Sequence, residues 1–292
     1  MPTPAEARHS ATVILVRPAA PHPPYWAPAG GTTAYEAFMV RRHAASKFAP
    51  DVYVFPGGTL DEADWPPEAA PVGLSPTAAH ARLGGSARAG LQTPEGSLAL
   101  WIAALRELFE EAGVLLARDA SGELVSFDDP AVAARFAVYR TALASGELSL
   151  WELAAREGLT LAPEELRYWA HWITPEAAPR RFDTRFFVAL MPPCQEALHC
   201  GAQTVPEALA CTLETTDGLW IAPGEALARH AAGEFPLVFA TRSHLERLAT
   251  FPTLEALWAH TEDKPVVTVL PWMEPGVSPP RVVIPPEVRE CW

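Results

Sequence analysis

Residues 98–113, LALWIAALRELFEEAG, constrain this chain more than any other stretch. At 3.6 residues per turn, Ile102, Leu105, Phe109 and Ala112 recur at i, i+3, i+7 and i+10, the core-facing stripe of an amphipathic helix. Glu107, Glu110 and Glu111 occupy the other face within about one turn, where like charges repel by a few tenths of a kcal/mol each. Arg106 stands beside them but cannot neutralise three carboxylates. A hard divalent cation held by oxygen ligands is the natural counterpart. Gly113 is placed to end the helix, because glycine accepts the left-handed backbone of a C-terminal cap.

A chain of 292 residues, 49% hydrophobic, has ample volume for a core around such a helix. Its 31 prolines are spread among apolar runs, which points to many ordered loops and not to disorder. The net charge of −13 argues against a nucleic-acid or anionic-membrane binder, since both need a basic face. An anionic substrate would therefore need a metal to bridge it to the protein. Cys194, Cys200, Cys211 and Cys291 form no CxxC pair and read as free thiols of a reducing compartment. A zinc site from Cys194, His199 and Cys200 would match no usual ligand spacing. No apolar run reaches membrane-spanning length, the N-terminus lacks the basic-then-apolar pattern of a signal peptide, and the C-terminus carries no Ser-Lys-Leu address. The expectation is a cytoplasmic protein.

Short apolar runs at 11–17 and 36–42 predict two strands in a hairpin, and 51–58 (DVYVFPGG) predicts a third running into a Pro-Gly-Gly turn. The glycines of that turn allow positive φ and close backbone approach. An acidic cluster, Asp61, Glu62 and Asp64, follows at once. Residues 65–97 read as a surface insertion with one short helix near 76–83, tolerated because long loops add little closure entropy. A strand start is expected at 114–117, then two or three helices across 130–143, 148–157 and 163–168. Strands are expected at 169–174, 186–190 and 212–221, short helices at 223–232, 243–249 and 254–260, and closing strands at 266–270 and 282–284. Trp101 and Trp172 read as packing groups, and Arg180, Arg181 and Arg185 as surface charges paired with acids.

The pieces GGTLDEAD (57–64) and RELFEEAGV (106–114) resemble the two halves of the Nudix box, G, five residues, E, seven residues, REUxEExGU, with U a bulky aliphatic. Arg106, Glu107, Leu108, Glu110, Glu111, Gly113 and Val114 match every fixed position of the second half. Counting from Gly58, the early glutamate position falls on Asp64, 42 positions before Arg106 where the motif has 8, so an insertion of 34 residues splits the box. With FPGG before it and WITPEAAPRRFDTRFFVA after it, the split box is similar to the coenzyme A and acyl-coenzyme A diphosphatase branch. Arg42 and Lys47 occupy that branch's two upstream basic positions, whereas His43 and Asp51 stand where it has Ser and Gly.

The resemblance implies an α/β fold, a Nudix-like α/β/α sandwich with a mixed sheet in a single domain over 1–292, carrying a helical insertion at about 128–170. It implies hydrolysis of a small-molecule diphosphate with Mg²⁺ or Mn²⁺ on Glu107, Glu110 and Glu111, with Glu110 also a candidate to orient water. Arg106 would pin a carboxylate of the Gly57–Gly58 loop, with Asp64 the positional match and Asp61 or Glu62 the alternatives. Arg42 and Lys47 would grip phosphate. Glu214 matches a loop glutamate that some Nudix enzymes place near the metals, and equally suits a solvated loop. Homodimerisation is a further family expectation. Coenzyme A or an acyl ester leads as substrate, with ADP-ribose, NADH or a nucleotide sugar as the alternative and a non-catalytic nucleotide sensor as a third reading.

Overall fold

A computed structural model describes residues 4–19, 33–44, 49–84, 91, 93–198, 215–263, 265–276, 281–289 and 291–292. Its main sheet is built on β1 (Ala7–Pro18), which pairs antiparallel with β2 (Tyr35–Arg42) and with β4 (Gly57–Thr59). Strand β3 (Tyr53–Val54) extends β2 on its far side. The hairpin relation expected for the first two strands is thus present. The β1 strand begins four residues earlier than its apolar run, because Ala7 to Ser10 are held by a parallel neighbour, β8 (Arg181–Leu190). Strand β7 (Arg167–Ile173) pairs antiparallel with β8, and β9 (Thr215–Ile221) antiparallel with β2. The sheet is therefore mixed.

Both faces of this sheet are buried, and successive side chains serve opposite layers, as the period of two requires. Ala11, Val13 and Leu15 of β1 face one core, with Phe38, Val40 and Phe187. Ile14 and Val16 face the other, with Ala37, Met39 and Val188. The first core is covered by α1 (Pro76–Arg82), α2 (Pro94–Ala112), α3 (Pro130–Ala144) and α4 (Leu150–Glu157). The second is covered by α5 (Pro223–Ala231), α6 (Phe239–Leu248) and α7 (Leu254–Asp263). The architecture is the expected α/β/α sandwich. Trp101 and Trp172 are buried packing groups. Among the described residues, no helix is long and apolar enough to cross a membrane.

Helix α2 starts at Pro94, four residues before the expected start, with the Thr93 hydroxyl accepting from Gly96 N at 3.0 Å and Pro at the first turn. Gly113 ends it in the left-handed region at φ 71°. The stretch before α2 is not wholly surface: Leu74, Ala79, Leu83 and Leu91 are buried against α2. The expected strand at 114–117 shrinks to β5 (Ala117–Arg118), paired with β6 (Thr160–Leu161). The helix expected at 163–168 is a single 3₁₀ turn at Pro163–Glu165, because the chain must then extend into β7. The closing strands split: β10 (Thr268–Val269) joins β7 in parallel, while β11 (Trp272–Met273) and β12 (Val282–Val283) make a separate ribbon before α8 (Pro286–Arg289).

Candidate active site

The polar face of α2 is largely withdrawn from solvent. Glu107 and Glu111 are only 8% and 9% exposed, because the helix lies against β4 and its tight glycine pair. The backbone N–H of Gly57 donates to Glu111 Oε2 at 2.9 Å. A Cβ on Gly58 would stand 2.2 Å from Glu107 Oε1, and one on Gly57 would stand 2.6 Å from the Ala11 carbonyl. Space is what demands glycine at both positions. Neither is among the residues with positive φ, so that part of the sequence expectation is not met.

Arg106 closes the arrangement. Its Nε and Nη2 donate to the two oxygens of Asp64 at 2.7 and 3.0 Å, a two-point pair across the insertion. Nη2 also donates to the Thr59 carbonyl at 2.9 Å, and Nη1 donates to Glu107 Oε1 at 2.8 Å and reaches Glu110 at 3.4 Å. Asp64 is 1% exposed and sits in a capped 3₁₀ turn, Glu62–Asp64, where its Oδ2 also accepts from Asp61 N at 2.8 Å. Asp61 and Glu62 are exposed. Asp61 caps that turn by accepting from Ala63 N, so the alternatives to Asp64 fall away.

Burial pushes the Glu107 carboxyl up to about 8, with the neighbouring Glu110 charge adding to the rise and Arg106 opposing it. Glu110 and Asp64 are pushed upward by burial as well, against the pull of Arg106. Burial works against the Arg106 charge, but Glu107, Asp64 and Glu110 together hold its pKa above the ordinary value. Among the described residues, no three His, Cys, Asp or Glu side chains already converge on one point for a cation. The glutamate oxygens instead lean on Arg106 and Gly57. Their chemistry still fits a hard divalent ion: three carboxylates line one cavity, and a cation there would offset the burial, and the lesser Glu110 repulsion, that disfavour the charged form of Glu107.

That cavity, about 530 Å³, opens between α2, β4 and the β1–β8 pair. A family model described as the NUDT19 Nudix domain matches residues 7–247, most of the chain. The chain belongs to the Nudix family.

Two relatives named acyl-coenzyme A diphosphatase NUDT19 resemble it. The Gallus gallus protein is 29% identical over 269 residues, 83% of this chain and 68% of its own length. The Homo sapiens protein is 28% identical over 287 residues, 88% of this chain and 72% of its own length. A Nudix hydrolase from Alicyclobacillus acidocaldarius, known as a crystal structure, superposes with a TM-score of 0.58 at 26% identity, over 89% of this chain and 99% of that one.

Within this Nudix site the structure brings together Asp64, Arg106, Glu107, Glu110, Glu111, Gly57 and Gly58, and Arg42 lines the same cavity from the end of β2. Lys47 and Glu214 lie outside the described residues, as do His199, Cys200 and Cys211. Cys194 and Cys291 are free thiols. Two of the arginines read as surface charges are buried: Arg185 bonds Asp183 Oδ1 at 2.7 Å, and Arg181 donates to the carbonyls of Ala5 and Thr174. Arg180 is exposed but lines the cavity. Sequence reasoning also missed Arg8, Ser10 and Thr12, which line it from β1. Their signal was a polar alternation, R-x-S-x-T, leading into the first apolar strand.

Proposed function

We propose that this Nudix protein hydrolyses the diphosphate of coenzyme A or an acyl-coenzyme A, giving 3′-phospho-AMP and (acyl-)phosphopantetheine. The reading rests on one observation above all. The two-point Arg106–Asp64 pair joins the halves of the split box, so that Glu107, Glu110 and Glu111 line a single cavity with the Gly57–Gly58 backbone. The substrate is inferred from the relatives named acyl-coenzyme A diphosphatase and from Arg42 and Lys47, the branch's basic positions.

In this reading Glu107, Glu110 and Glu111 hold Mg²⁺ or Mn²⁺, since oxygen donors select hard cations. Bound metal would screen the diphosphate and acidify a water for in-line displacement at phosphorus. The chain's own contribution is positional. Gly57 N–H orients Glu111, and Arg106 orients Glu107 while Asp64 and the Thr59 carbonyl fix the guanidinium. Arg42 offers a guanidinium to a phosphate oxygen within the cavity. Glu110 and Glu214 are the candidates to take the proton of the attacking water.

The test is incubation with Mg²⁺ or Mn²⁺ and a panel of coenzyme A, acyl-coenzyme A, ADP-ribose and NADH, with products identified by mass. The expected products are 3′-phospho-AMP and the matching phosphopantetheine. Cleavage of ADP-ribose far above coenzyme A would overturn the substrate, and cleavage of nothing on the panel would favour a nucleotide sensor.

A further inference from the structure

The floor of the cavity is a two-strand platform whose register is fixed. Strands β1 and β8 run parallel with Arg8 opposite Phe182, Ser10 opposite Thr184 and Thr12 opposite Phe186. Because side chains alternate along a strand, these six share one face, and Ser10 Oγ lies 2.7 Å from Thr184 Oγ1 across it. All six line the cavity.

Strand β4 gives this platform a direction. Gly57 pairs with Thr12, Gly58 with Ala11 and Thr59 with Ser10, so the glutamates that touch Gly57 and crowd Gly58 mark the Thr12 end. Arg8 lies three to four residues farther along β1, about 10–13 Å away at the rise of a strand. Arg180 stands just before β8, two residues ahead of Phe182, at the same far end. Both arginines are exposed and line the cavity. Nothing in the cleavage chemistry at the glutamates uses them.

We propose that Arg8 and Arg180 form a second anion clamp that recognises a phosphate carried on the substrate's ribose, apart from the diphosphate being cleaved. The inference rests on the diphosphatase reading and deepens it. A diphosphate seated at the glutamates places a nucleoside along the platform, and a further phosphate on its ribose falls within reach of two long guanidinium side chains. Forked N–H donors suit the oxygens of a phosphate dianion. A nucleoside diphosphate without the extra phosphate presents no such group. The clamp therefore selects a ribose-phosphorylated substrate such as coenzyme A over ADP-ribose or dephospho-coenzyme A.

The test compares coenzyme A with 3′-dephospho-coenzyme A as substrates for the wild type, Arg8→Ala, Arg180→Ala and Arg180→Lys. Each alanine variant should lose about tenfold in kcat/KM on coenzyme A, chiefly through KM, and less than about twofold on the dephospho substrate. Arg180→Lys should recover part of the loss, since it keeps the charge without the fork. Calorimetry gives a readout apart from turnover: wild type should bind adenosine 3′,5′-bisphosphate more tightly than 5′-AMP, and the double alanine variant should bind them equally. Equal losses on both substrates, or no loss on either, would overturn the clamp alone. A wild type that cleaves neither would overturn the diphosphatase reading and the clamp with it.

Discussion

Arg106 and Asp64, 42 positions apart in the chain, meet in a two-point ion pair with the carboxylate almost wholly buried. The contact spans an insertion that carries α1 and packs on α2, and it fixes the guanidinium that orients Glu107. Aspartate serves where the motif has glutamate because the 3₁₀ turn Glu62–Asp64 carries the shorter side chain to the arginine.

Removing the pair should cost both stability and activity. Asp64→Ala leaves Arg106 with Glu107, Glu110 and the Thr59 carbonyl, so the loss should be roughly 2–4 kcal/mol, at the lower side of a broken buried pair. Urea unfolding measures it. Turnover should fall further than stability predicts, because the guanidinium that orients Glu107 loses its two bonds to Asp64. Full turnover in a folded variant would contradict the positioning role of the pair.

The two glycines of β4 should fail differently. A Cβ at Gly57 meets the Ala11 carbonyl, a fixed backbone atom, so Gly57→Ala should lower the melting temperature by several degrees, about 1–3 kcal/mol of overpacking. A Cβ at Gly58 meets the end of the Glu107 side chain, which can move. Gly58→Ala should therefore unfold close to wild type while losing most activity. Paired thermal melts and product assays separate the two.

Part of the insertion belongs to the core. Leu74 is 3% exposed and packs in the α2-side cluster, so Leu74→Ala should cost roughly 2–4 kcal/mol in denaturant unfolding. A change within error would return this segment to the surface.

A buried histidine far from the glutamates should shape the acid limb of stability. His244 is fully buried among Phe186, Trp172 and Trp292, and its Nδ1 accepts from Trp169 Nε1 at 3.0 Å. Burial pushes its imidazole down from 6.5 to about 3. Between those values the unfolded chain binds a proton at His244 that the native chain does not, so the His244 contribution to stability is full above about pH 6.5 and is lost as pH drops toward 3, while Glu107, pushed up to about 8, works in the opposite sense. From pH 6.5 to 5 the His244 contribution should fall by on the order of 2 kcal/mol, read as the difference between wild type and a variant lacking the imidazole. His244→Asn keeps an acceptor for Trp169 and should flatten that slope. An unchanged slope would mean another group sets it.

What could be read in advance follows from where each signal lies. The α2 stripe, Gly113 and the second half of the box are local patterns of fixed spacing, so the helix and its glutamates were legible. Asp64 was reachable by counting along a motif, although only its seating in the 3₁₀ turn decides it over Asp61 and Glu62. The first residues of β1 were not legible, because Arg8, His9 and Ser10 are polar and their strand is stabilised by β8, more than 170 positions away. Arg181 and Arg185 looked solvated because sequence shows charge and not the buried carbonyls and Asp183 that receive it. The helix expected at 163–168 failed because pairing with β8 overrides local spacing there.

The account is tested most directly by Glu111→Gln assayed for release of 3′-phospho-AMP from an acyl-coenzyme A with Mg²⁺. Glutamine keeps the size and an oxygen that can still accept from Gly57 N–H, so the fold and its melting temperature should hold. Losing the charge should lower kcat by a factor on the order of a hundred to a thousand, in line with several kcal/mol of metal-borne stabilisation. A folded Glu111→Gln protein that releases 3′-phospho-AMP at the wild-type rate would contradict the assignment of this helix as the metal-holding, catalytic element.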